Sequence, residues 1–89
     1  MFLTANETKL SQNTDRNART EVCASEMYHQ VYQAGGCAEP QGAMEMVNLM
    51  QSKGYSRDEA VAAMNIMIDD GDVEAGMSYT GLVQTLKIA

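Results

Sequence analysis

Residues 56–75 read SRDEAVAAMNIMIDDGDVEA, and they hold the start, body and stop of one helix followed by the opening of a strand. Ser56 and Glu59 form a capping box, in which the serine hydroxyl accepts from the Glu59 amide and the carboxylate accepts from the Ser56 amide. The body then supplies Ala60, Val61, Ala62, Ala63, Met64, Ile66, Met67 and Ile68, interrupted only by Asn65. Apolar residues all round the circumference predict a helix that is central to the core or lays part of its surface against another molecule. Asp69-Asp70-Gly71-Asp72 stops it, and Val73-Glu74-Ala75 alternates as a strand does.

Toward the C-terminus, Leu82, Leu86 and Ile88 recur on even positions against Val83, Thr85 and Lys87. This period of two predicts a hairpin with strands at 72–77 and 82–88 and Ser78-Tyr79-Thr80-Gly81 at its tip. A short terminal helix capped by Ser78 or Thr80 competes with it, because Leu82, Val83 and Leu86 also suit one helical turn.

Toward the N-terminus, Gly54 closes an earlier helix that opens at Glu39-Pro40, where proline is tolerated because its missing N–H would have no partner. Its stripe is Ala43, Met46, Val47 and Met50, widened by Met44 and Leu49, with Lys53 in the last turn. Before it, Ala24, Met27, Tyr28 and Val31 mark a first helix from about Asp15 to Ala34, with Asn13 or Thr14 as cap and Gly35-Gly36 as stop. Residues 1–13 are polar apart from Phe2-Leu3 and Leu10 and read as a flexible arm, one that can dock on a partner or sister subunit. Residues 14–89 read as a single domain, since 89 residues leave no room for a second.

Three helices, a short turn before a capped third helix and a C-terminal two-stranded hairpin resemble the order of winged-helix domains. The junction Met67-Ile68-Asp69-Asp70-Gly71-Asp72-Val73-Glu74 resembles the passage from their third helix through a glycine into the first wing strand. The fold class implied is mainly α with a small C-terminal β-hairpin, a three-helix winged-helix-like domain; a small all-α bundle is the alternative. DNA-reading winged helices place the N-terminal residues of the third helix at base edges. Here that stretch is Ser56-Arg57-Asp58-Glu59, one arginine beside two carboxylates, and the tip Ser78-Tyr79-Thr80 carries no base. The resemblance therefore implies the scaffold without its nucleic-acid surface.

Twelve acidic residues face six basic ones, for a formal net charge of −6, which opposes approach to a polyanion. No apolar run approaches the roughly 18 residues needed to cross a bilayer, and the N-terminus does not read as a signal peptide. Two cysteines, Cys23 and Cys37, suit free thiols in a reducing compartment, so a cytoplasmic location is expected.

Catalysis finds little support. Cys23, His29 and Cys37 offer at most three ligands where a structural zinc site wants four, and Cys23 and His29 point to different faces of one helix. The carboxylates around Gly71 are too closely spaced for an EF-hand loop. Glycines 35, 36 and 42 do not follow a phosphate-loop pattern. No enzyme activity, metal or cofactor is expected.

The methionines are the functional lead, because Met27, Met44, Met46, Met50, Met64 and Met67 fall on the expected helices and thioethers adapt to irregular or exchangeable surfaces. The expectation is a small regulatory or inhibitory accessory protein, of the sort that phage- or plasmid-type modulators represent, which binds a protein partner and self-associates. Its candidate contacts are Met64, Ile66, Met67, Asp69, Asp70, Asp72 and Glu74. The alternative is a dimeric winged-helix transcriptional regulator that gathers Arg16, Arg19, Lys53 and Arg57 into a basic stripe on DNA. A third reading, a nucleic-acid mimic, has its acids diluted by interleaved bases.

Overall fold

In the computed structural model residues 13–89 are described, and along them run α1 (Ala18–Gly35), β1 (Gln41–Gly42), α2 (Ala43–Ser52), α3 (Arg57–Asp69), β2 (Val73–Met77) and β3 (Val83–Ile88). The strands form one antiparallel sheet in the order β1-β3-β2. Three helices with a small C-terminal antiparallel sheet agree with the fold class expected, and the element order is compatible with a winged-helix-like topology. The hairpin, not the competing terminal helix, forms.

Two helix starts differ from expectation. Asn17, not Asn13 or Thr14, caps α1: its side chain accepts from the Thr20 amide at 3.0 Å, and the Thr20 hydroxyl accepts from the Asn17 amide at 2.8 Å. Thr20 thus performs the part that Glu or Gln takes in the usual capping box. The second helix begins at Ala43 rather than at Glu39-Pro40. Proline lacks a donor, fixes φ and forces its predecessor to be extended, which suits an edge strand as well as a helix start. The chain takes the strand, pairing Gln41 with Leu86 and Gly42 with Thr85. Lys53 lies just beyond the last turn of α2 as its C-cap, and Gly54 supplies the left-handed φ of 103° that follows.

The capping box at α3 forms as read, with Ser56 Oγ accepting from the Glu59 amide at 3.0 Å and Glu59 Oε1 accepting from the Ser56 amide at 2.8 Å. Every residue from Ala60 to Met67 is buried. α3 is therefore the central helix, with α1 and α2 packed on it and both wrapped toward β3. From α1 the core receives Cys23, Ala24, Met27 and Val31; from α2 it receives Ala43, Met46, Val47 and Met50; the sheet adds Val73, Leu86 and Ile88. Methionine takes the volume that aromatic rings fill elsewhere, since Met27, Met50 and Met67 are among the largest fully buried side chains. Tyr28, assigned to the α1 stripe by periodicity, is 37% exposed. Its place one position after Met27 carries it round the edge of the buried face.

Candidate interaction groove

Beyond the core, α2, α3 and the hairpin do not close on one another. α2 contributes Met44 and Val47, α3 contributes Val61, Met64 and Ile68, and the hairpin contributes Ala75, Met77, Leu82 and Val83 to a groove of about 770 Å³. The local reasons are visible in each element. Met44 and Val47 sit three apart on α2, and Val61, Met64 and Ile68 sit three and four apart on α3, so each set forms one stripe. On β2 the alternation that buries Val73 brings Ala75 and Met77 to the same face. Between Gly76 and Met77 the ladder shifts register, and the hairpin turns back through Ser78, whose Oγ accepts from the Leu82 amide at 3.1 Å. Met44 and Met77 remain 49% and 56% exposed at the rim, where Glu45 and Arg57 also line the groove. Its size falls within the range of about 300–1,000 Å³ usual for ligand clefts. Its walls are mainly apolar, with Glu45, Arg57, Asn65 and Gln84 as the polar side chains among them.

The structure divides the residues expected to form one contact surface. Met64 reaches the groove, while Ile66 and Met67 are 2% and 1% exposed and belong to the interior. Both underlie a second, smaller depression between α1 and α3, roofed in part by Tyr28 and edged by Asp70 and Asp72. Asp69, Asp70, Asp72 and Glu74 are exposed at the α3–β2 turn. Sequence reasoning missed Met77, Leu82 and Val83, and left Met44 out of the contact surface although it counted among the helix methionines. The signal for Met77 was available in the period of two that placed it on the face of Val73.

Two of the four basic residues proposed as a stripe are held by carboxylates of the same chain. Arg16 bonds Asp70 at 2.5 Å and Glu21 at 3.1 Å, which raises its pKa further. Arg19 bonds Glu59 at 2.5 Å, donates to the Gly54 carbonyl at 3.2 Å and stacks over the Tyr55 ring at 5.0 Å from its centroid. The Arg19 guanidinium and the Ser56 amide hold the Glu59 carboxyl down at about 2. Arg57 lines the groove, and Lys53 is exposed at the end of α2.

Burial pushes the Cys23 thiol up to about 11, so it is neither a ready nucleophile nor a ready ligand. Cys37 is exposed. Among the described residues no three His, Cys, Asp or Glu side chains come close enough to hold a metal ion, and no helix is long and apolar enough to cross a membrane. Comparison with known proteins finds no matching family model, and no curated protein or solved structure with significant similarity. The groove and the charges around it are the grounds on which function is argued.

Proposed function

We propose that this chain is a non-catalytic protein-interaction domain, a small regulatory or inhibitory accessory protein whose partner seats an apolar segment in the groove between α2, α3 and the hairpin. One observation carries the reading: an open apolar groove with two half-exposed methionines at its rim, while Met27, Met46, Met50 and Met67 are committed to the core. Burying a rim of this type favours association at roughly 25 cal/mol for each Å² of apolar surface covered, before the costs of ordering are subtracted. Methionine suits it because the thioether repacks against differing shapes.

A DNA-binding regulator is the second reading, and the sheet order β1-β3-β2 behind three helices favours it. Charge speaks against it. Arg16 and Arg19 face carboxylates of their own chain, and α3 offers no exposed side chain between Ala60 and Met67 with which to read bases.

The test places a photo-crosslinking residue at Met77, at Met44 and, as control, at Tyr32 on the outer side of α1, and irradiates cells that make the full chain. Discrete adducts with another protein from Met77 and Met44 but not Tyr32 support the groove as the contact. Equal adduct patterns from all three positions refute it. Binding to duplex DNA that weakens steeply with salt would establish the second reading in its place.

A further inference from the structure

We infer that β2 is a docking edge for a second copy of this chain: two β2 strands pair antiparallel about a two-fold axis at Ala75 and join two sheets into one. The contact is made by the backbone of the hairpin, and it holds whether or not the groove seats another protein.

The order β1-β3-β2 leaves two edges, and the chain treats them differently. β1 is two residues long, follows Pro40 and runs straight into α2. A very short strand with proline beside it closes an edge to further pairing. β2 has five residues, Val73–Met77, with no proline or lysine among them. A bulge would also protect an edge, but the shift between Gly76 and Met77 adds its extra residue, Gln84, to β3, so β2 keeps its regular alternation.

Hydrogen bonds at the two ends of the ladder identify the groups that β2 leaves over. The Ala89 amide donates to the Asp72 carbonyl at 3.1 Å, and the Ser78 amide donates to the Leu82 carbonyl at 2.8 Å. Residues along an antiparallel strand alternate between bonding one neighbour and facing away from it. The even positions of β2 therefore bond β3, and the amides and carbonyls of Val73, Ala75 and Met77 point outward. Among the described residues none donates to these groups or accepts from them. They form the row of donors and acceptors that a further strand requires.

The register selects the occupant, because β2 complements itself. An axis at Ala75 uses all five residues: Val73 faces the second copy's Met77, Ala75 faces Ala75, and Glu74 faces Gly76. An axis at Glu74 would set two carboxylates directly opposite each other, which is destabilising. An axis at Gly76 would set Val73 against residues past the end of β2. In the Ala75 register Glu74 has glycine opposite it in the new strand and Lys87 opposite it in β3. The exposed Met77 comes beside the second copy's Val73 on the apolar face. Such a contact uses the same patch on both chains and closes on itself as a dimer. The net charge of −6 on each chain opposes approach, but salt of about 0.15 M confines that repulsion to about 8 Å. A strand pair of this length covers less than the roughly 1,200 Å² of a standard interface, so the dimer is a reversible one.

Light scattering on the full chain from about 10 μM to about 1 mM, a span that covers weak interfaces, should show the mass rising from 9.7 kDa toward twice that value. Over the same series amide hydrogen exchange should slow at Val73, Ala75 and Met77 and stay constant at Glu74 and Gly76, whose amides already serve β3. In a mixture of differently labelled chains, NMR should show the Glu74 α-hydrogen of one copy in contact with the Gly76 α-hydrogens of the other, since such a pair brings its Cα atoms to about 4.5 Å. Ala75→Pro removes an outward donor on an edge strand, where proline is tolerated. It should leave the circular dichroism of the monomer unchanged and raise the dissociation constant about tenfold or more. A mass of one chain at every concentration overturns the proposal. So does a dimer in which odd and even amides of β2 respond alike, which would place the contact on another face. Exchange in the unaltered chain is read without any variant, so a disturbed fold in Ala75→Pro does not rescue either negative result.

Discussion

Met67 and Met77 differ in one respect that decides between core and contact surface. Met67 is 1% exposed and packs from α3 into the interior, whereas Met77 is 56% exposed at the end of β2. Replacing Met67 by alanine removes its γ, δ and ε atoms from a filled site and leaves a cavity, at a cost of about 2–5 kcal/mol. A chain of 89 residues has a total stability of about 4–13 kcal/mol at roughly 0.05–0.15 kcal/mol per residue. The substitution therefore consumes a large part of it and should lower Tm by about 10 °C or more, at roughly 4–8 °C per kcal/mol for a domain of this size. Met67→Glu should go further and unfold the chain, because a carboxylate at this site would have to be buried without a partner. Met77→Ala should change stability by no more than about 0.5 kcal/mol. Urea denaturation followed by circular dichroism measures all three. Equal midpoints for Met67→Ala and Met77→Ala would refute the assignment of α3 as the central helix.

Gly76 lies opposite Thr85, and a Cβ added there would run into the Thr85 hydroxyl. Gly76→Ala should therefore destabilise by about 1–3 kcal/mol, with recovery in the double variant Gly76→Ala, Thr85→Ala; a double variant no better than the sum of its parts would contradict the register. Alanine at Ser56 or at Asn17 should each cost about 1 kcal/mol in thermal or urea unfolding through loss of a cap. The depressed Glu59 carboxyl gives acid sensitivity with a defined sign. Its folded pKa of about 2 lies below the unfolded value of 4.5, so its stabilisation is fully present above pH 4.5 and is lost as pH falls toward 2. Arg19→Ala should flatten the stability profile in that window, and an unchanged acid limb would exclude the ion pair as its cause. Under native conditions Cys37 should alkylate readily and Cys23 only as fast as the chain opens, measured by mass spectrometry in graded urea.

The order of elements was legible because its punctuation is local. Ser56 with Glu59, the Asp-Gly stop at 69–72 and the alternation at 82–88 each depend on neighbours within a few residues. β1 was hidden because Gln41–Gly42 is a strand only by virtue of Leu86 and Thr85, more than forty residues away in sequence. A two-residue edge strand has no period to read. The cap of α1 was misplaced for a related reason: Asn13 carries the right side chain for a cap, and its Oδ1 does accept from the Asp15 amide, but its Nδ2 and backbone carbonyl are engaged with Asp58 and Asn65 across the fold and the helix starts only after Asn17. The site was legible only in kind. The excess of methionine and the all-round apolar α3 pointed to surplus apolar surface, yet periodicity could not tell which side remained open. Ile66 and Met67 were placed on the contact face, while the groove is lined by Met64 and by Met44 and Met77 from other elements. Charge was misjudged in the same way. Arg16 and Arg19 look free in sequence because Asp70 and Glu59 are 54 and 40 positions away from them.

The alanines at 60, 62 and 63 have no exposed surface, and they set how closely the chain around α3 can approach its axis. A methyl group is the thinnest spacer that still fixes a helix backbone, so these positions act as shims between neighbouring parts. Thickening one of them by a single carbon atom would tilt a neighbour outward and alter the mouth of the groove without touching any residue that lines it. The shape of the groove is thus adjustable from inside the molecule, at sites with no exposed surface.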